Sequence, residues 1–114
     1  MVLDFLINYN ETNQTPIINV KGELDIYTSQ KLRTILTDLI DNNKKNIILN
    51  LKDLLYMDST GLGTIVQAAN NLATKDGKLH IVAVKPTIKK IFEVSGITNK
   101  NFIVFDEELK TTKE

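Results

Sequence analysis

The chain of 114 residues contains no cysteine. That one absence excludes disulfides, thiolate metal sites and thiol catalysis. A single histidine, His80, excludes a histidine-rich metal centre, and no metal or other cofactor is expected. Charge of either sign is not in excess: Lys plus Arg number 14, Asp plus Glu number 14, and the formal net charge is +0. Such a chain has no overall electrostatic pull toward nucleic acid or an anionic membrane. No apolar run approaches the ~20 residues of a membrane span. No basic segment followed by an apolar one opens the chain. A soluble, cytoplasmic protein with little catalytic equipment is expected, with neither nucleic acid nor membrane as a partner.

What is present is an ordinary globular balance, with 42% hydrophobic and 25% charged residues. The length fits one domain, since domains run roughly 100–200 residues. Residues 1–114 are therefore read as a single domain.

Hydrophobic spacing orders the chain. Residues 2–9 mostly alternate, with Leu3, Phe5, Ile7 and Tyr9 on one side, as in an edge strand. A polar loop follows. Pro16 opens a second strand over 17–21, antiparallel to the first and closed by Gly22. Thr28 or Ser29 is placed to cap a helix whose apolar face is Leu32, Ile35, Leu36, Leu39 and Ile40. Asp41-Asn42-Asn43 ends it. The near-continuous apolar run at 46–51 reads as an interior parallel strand. A second helix follows Met57-Asp58-Ser59-Thr60, with Leu62, Ile65, Val66, Ala69, Leu72 and Ala73 inward. Residues 79–84 form another buried strand. Pro86 suits the first turn of a third helix, with Ile88, Ile91 and Phe92 inward and Gly96 past its end. Residues 102–105 form a last strand, and Asp106 is placed to cap a brief closing helix. The order β-β-α-β-α-β-α-β argues an α/β fold: a mixed, mostly parallel sheet of about five strands with helices packed against it.

The core does not account for Met57-Asp58-Ser59-Thr60-Gly61-Leu62-Gly63. It stands where an interior strand hands over to a helix, the edge at which open α/β sheets bind ligands. Two glycines at a helix start cost up to ~1 kcal/mol each relative to alanine, and something must offset that. One reading is a plain cap, with Ser59 or Thr60 accepting an amide. Another is a hydroxyl displayed for phosphorylation, at a helix end that favours negative charge. A dinucleotide fingerprint fails, because Val66 stands where the third glycine is needed. A serine hydrolase lacks a base, since His80 sits inside a strand pattern, and lacks Gly-x-Ser-x-Gly, since Met57 replaces the first glycine. A phospho-receiver lacks its acidic magnesium cluster: the first loop reads Asn8-Tyr9-Asn10-Glu11.

Three segments together resemble a known family. Gly22-Glu23-Leu24-Asp25, then Met57 through Gly63, then Phe92-Glu93-Val94-Ser95-Gly96-Ile97 resemble, in order and spacing, the anti-sigma factor antagonists of the STAS domain family. The chain looks closer to the general-stress branch than to the sporulation branch. The resemblance implies a protein that is not an enzyme. It implies that Ser59 is the phosphoacceptor and that the partner is an anti-sigma factor with serine kinase activity. The unphosphorylated antagonist would bind that partner and release the sigma factor, the phosphorylated form would let go, and a separate serine phosphatase would reset it. A non-switching STAS interaction module is the alternative. Partner contacts would come from Asp25, Met57, Asp58, Thr60, Gly61 and Gly63, with the Asp25 loop beside the serine loop. Each has a plainer role too: Asp25 a cap for the first helix, Asp58 a helix-start acid, Thr60 an N-cap, the glycines packing, Met57 core. The phosphate is expected to act as local charge in an interface, without refolding.

Overall fold

The computed structural model describes residues 3–9, 15–82, 84–95 and 103–106. The elements in chain order are β1 (Leu3–Tyr9), β2 (Pro16–Leu24), α1 (Ser29–Asp41), β3 (Asn46–Met57), α2 (Ser59–Ala73), β4 (Lys78–Val82), α3 (Pro86–Ser95) and β5 (Ile103–Asp106). The alternation of types is the one that hydrophobic spacing predicts. The strands form one sheet in the order β1-β2-β3-β4-β5. β1 runs antiparallel to β2, and the remaining neighbours are parallel. Gly96 and the closing helix expected after Asp106 lie outside the described residues. Asp106 itself ends β5.

Two strands run further than alternation suggests. β2 does not stop at Gly22 but continues to Leu24, and β3 continues past Leu51 to Met57. The cause is a pair of register slips. Asn19 pairs with Asn50 but Lys21 with Asp53; Gly22 pairs with Leu54 but Glu23 with Tyr56. Each time β3 carries one residue more than β2, as in a β-bulge. The extra residues replace a period of two by a spacing of three. Leu51, Leu54 and Met57 thereby all face the core, each 2% exposed or less. Gly22 stands at the second slip with φ 112°, a conformation that glycine adopts at no steric cost.

One cluster joins Ile18 and Val20 of β2, Leu49 of β3 and Ile81 of β4 to the helices. Leu32 and Leu36 enter it from α1, Ile65 and Leu72 from α2, and Ile88 and Phe92 from α3. Each such side chain contributes roughly 1.5–3 kcal/mol when fully buried. His80 is half-buried, with Nε2 3.4 Å from Asn46 Oδ1, in keeping with a structural histidine.

The ends of α1 explain its extent. Leu32, Leu36, Leu39 and Ile40 are buried along one face. At the far end Asn43 takes φ 67°, breaking the helix, and its amide donates to Ile40 O at 3.0 Å. Lys75 Nζ, just beyond α2, donates to the same Ile40 carbonyl at 3.1 Å. This cation at the negative end of α1 ties the two helices together.

Candidate functional site

The site lies where β3 ends and α2 begins. Asp58, not Ser59 or Thr60, caps α2. Its Oδ1 accepts from Thr60 N at 2.9 Å and Gly61 N at 3.0 Å, and its carbonyl accepts from Leu62 N at 3.0 Å. An extended backbone at Asp58 makes this possible, with φ −103° and ψ −173°. The capping reading of Ser59 and Thr60 is thus replaced: Asp58 does that work. Thr60 is half-buried in the first turn, and its carbonyl accepts from Thr64 Oγ1. Ser59 is exposed, and its hydroxyl has no hydrogen-bond partner among the described residues.

The two glycines part company. A Cβ at Gly61 would lie 2.8 Å from Leu24 Cγ and 2.9 Å from Leu24 O, so Gly61 is there for packing between α2 and β2. At Gly63 a Cβ would meet nothing within 4 Å, and the residue is exposed. Packing does not explain Gly63. Met57 is 2% exposed and belongs to the core, not to the rim.

The loop carrying Asp25 does lie beside the serine loop: Asp58 N donates to Leu24 O at 3.1 Å. The carboxylate, however, is directed into its own turn. Asp25 Oδ1 accepts from Tyr27 N and Thr28 N, both at 2.9 Å, and from the Thr28 hydroxyl at 3.1 Å. Burial pushes the Asp25 pKa up, but these donors outweigh it and hold the group below the ordinary carboxylate value. Thr28 occupies the cap position of α1 without a side-chain bond to the helix. Its one hydroxyl proton is shared between Glu23 O, at 2.7 Å, and Asp25 Oδ1, and its oxygen accepts the Asp25 amide at 2.9 Å, so the side chain serves the Asp25 turn. Asp25 therefore orders the turn that leads into α1 without capping the helix through its side chain, and is only 7% exposed.

Beside Ser59 runs a shallow groove of about 610 Å³. One wall is Met57, Asp58, Ser59 and Leu62; the other is α3, through Thr87, Lys90, Ile91 and Val94. These α3 residues recur at helical spacing on a face distinct from the buried Ile88 and Phe92. Val94 is 79% exposed, and its neighbour in the groove, Ile91, is only half-buried rather than fully inward. Sequence reasoning missed this wall. The available signal was an apolar residue in excess of one core stripe on a ten-residue helix. A second exposed apolar group, Ile26 and Tyr27 with Leu55 and Tyr56, was missed as well. Its signal was the unbroken run Leu54-Leu55-Tyr56-Met57, which no alternation can bury.

No group of three or more His, Cys, Asp or Glu residues able to hold a metal occurs among the described residues. Nor is any described helix long and apolar enough to cross a membrane.

Known proteins are similar to this chain in sequence and in fold. A family model for the STAS domain matches residues 7–111. The anti-sigma-B factor antagonist of Staphylococcus aureus (strain NCTC 8325 / PS 47) is 38% identical over 93 residues, covering 80% of this chain and 86% of the relative. The Bacillus cell fate determinant SpoIIAA, solved in its phosphorylated form, is 26% identical with a TM-score of 0.71, covering 90% of each chain. The anti-sigma factor antagonist SpoIIAA in its unphosphorylated form superposes with a TM-score of 0.74 at 23% identity, covering 96% of this chain and 93% of that one. The chain belongs to the STAS domain family, among its anti-sigma factor antagonists.

Proposed function

We propose that this protein, acting as one STAS domain over residues 1–114, switches an anti-sigma factor by way of Ser59. In the unphosphorylated form it binds an anti-sigma factor that is also a serine kinase, and the sigma factor is set free to direct transcription. In the kinase step Ser59 Oγ attacks the γ-phosphorus of ATP. The bond to the ADP oxygen breaks, and the hydroxyl proton passes to a base on the kinase. A serine phosphatase hydrolyses the phosphate and restores binding. The protein is a binding module rather than an enzyme, and works in the cytoplasm in the response to stress.

One observation carries this reading. Ser59 is exposed at the rim of an apolar groove with its hydroxyl unengaged among the described residues, because Asp58 has taken over the cap. The names of the relatives support the antagonist role, and the phosphorylated form of SpoIIAA supports a modification switch. The partner's contacts fall on Ser59, Thr60, the open backbone at Gly63 and the groove between α2 and α3. Met57, Gly61 and the Asp25 turn shape that surface from beneath.

Charge then releases the partner. A phosphoserine adds about −1.5 to −2 at neutral pH. One unit charge ~5 Å from another of like sign costs about 3 kcal/mol at an effective dielectric near 20. Asp58 next door already supplies one negative charge, and a docked face strips water from the phosphate. A penalty of about 3 kcal/mol is roughly a hundredfold in affinity. The free protein keeps its fold because Ser59 is at the surface.

The test is intact-mass measurement after mixing the protein with its anti-sigma factor and ATP. One added phosphate that is lost in Ser59→Ala supports the switch. Tight binding with no phosphate supports a non-switching module instead, and turnover of a small molecule without a partner would contradict both.

A further inference from the structure

We propose that Lys90 is the counter-ion of phosphorylated Ser59, and that their pairing across the groove shuts the face the partner enters. The proposal rests on the reading of Ser59 as the phosphoacceptor and concerns how the phosphate is held afterwards.

A phosphate at the start of a helix ordinarily finds free amides. Here they are occupied. The Thr60 and Gly61 amides donate to the Asp58 carboxylate, and the Leu62 amide donates to the Asp58 carbonyl. Of the first four amides of α2, only that of Ser59 itself remains for the anion. The carboxylate that fills this place is moreover a like charge. A phosphate on Ser59 must therefore seek a donor outside α2.

The opposite wall of the groove supplies one. Lys90 lines it on the same helical face as Thr87, Ile91 and Val94, and its ammonium has no hydrogen bond or ion pair among the described residues. Ile88 and Phe92 of α3 are buried in the core, and Lys90 stands between them in sequence on the exposed side of the helix. Besides Ser59 and Lys90 the groove is lined by apolar Met57, Leu62, Ile91 and Val94, by Thr87 and Ser95, and by Asp58, whose Oδ1 already accepts the Thr60 and Gly61 amides. Without a phosphate the groove stays open and the ammonium faces water. With one, the ion pair spans the mouth and covers Leu62 and Ile91. The modification then removes the docking floor as well as adding charge.

The test uses protein carrying phosphoserine at position 59, inserted during translation so that no kinase is needed. The phosphate is titrated by phosphorus NMR in the otherwise unaltered chain and with Lys90→Gln, Lys90→Arg and Lys89→Gln. Phosphoserine ordinarily ionises a second time near pH 6. With Lys90 present, the midpoint is expected to lie lower than with Lys90→Gln by about half a unit or more, since the cation favours the dianion. Lys90→Arg keeps the lowered midpoint. Lys89→Gln, whose side chain does not line the groove, keeps it too. Phosphorylation should also shift the Leu62 and Ile91 methyl signals, and Lys90→Gln should abolish most of that shift. Equal midpoints with and without Lys90, or the same change from Lys89→Gln, would overturn the proposal. These titrations read out even if the partner never phosphorylates Ser59, a result that would sink the switch and would be seen by mass alone.

Discussion

Gly61 sits against Leu24 so closely that a methyl group at position 61 would stand 2.9 Å from the Leu24 carbonyl oxygen. That same carbonyl accepts the amide of Asp58, at 3.1 Å. One backbone oxygen of β2 thus sets both the height of α2 over the sheet and the position of the residue before Ser59.

Gly61→Ala should therefore destabilise the protein by about 1–3 kcal/mol, the usual cost of overpacking. Gly63→Ala should do the opposite. Its Cβ meets open space, and alanine is favoured over glycine in a helix by up to ~1 kcal/mol. Urea unfolding of the two variants measures both. If Gly63 is an approach point for the partner, Gly63→Ala gains stability yet loses affinity for the anti-sigma factor.

Asp58 can be dissected in the same way. Asp58→Ala leaves the Thr60 and Gly61 amides without their acceptor and should cost about 0.5–2 kcal/mol, the range for a lost N-cap. Asp58→Asn retains a capping oxygen and should cost much less. Because Asp58→Asn removes the like charge, phosphorylated protein with this change should hold the partner more firmly than the phosphorylated parent. Calorimetric titration of the two phosphorylated forms compares them.

Asp25 makes a prediction in pH. Its pKa is lowered in the folded state, so the ionised carboxylate stabilises the fold at any pH above its unfolded value, ~3.9 for aspartate. That stabilisation is lost as pH falls through the folded value. Asp25→Asn should accordingly lower the urea midpoint at pH 7, and the gap to the parent should close in stronger acid. A gap independent of pH would assign the turn to geometry rather than charge.

Ser59→Asp should bind the anti-sigma factor much more weakly than the parent while its melting temperature barely moves, because Ser59 is exposed and bears no structural hydrogen bond among the described residues. Ser59→Ala should bind and never be released by ATP. Equal affinity of Ser59→Asp and the parent would contradict release by charge.

Much of this molecule was legible from residue order. The helical face of α1 and the buried runs of β3 and β4 follow from local spacing, and local spacing survives folding because each face needs one partner layer. The segment from Met57 to Gly63 stood out for a related reason: its glycines carry a helix penalty that nothing local offsets. Boundaries fared worse where two strands had to match one another. The slips opposite Lys21 and Glu23 belong to the pairing of β2 with β3 and appear in neither strand alone.

The amino-acid order by itself determined the alternation of strands and helices, the absence of cysteine and the single histidine, and the segment from Met57 to Gly63 as the one its core does not explain. Only the tertiary structure decided which neighbour caps α2, that Gly61 is packing and Gly63 is not, and that Lys90 and Ser59 line one apolar groove. The division has a physical basis. Periodicity and chemistry are properties of a segment, whereas a cap, a steric limit or a facing charge depends on which atoms another segment brings within a few ångströms.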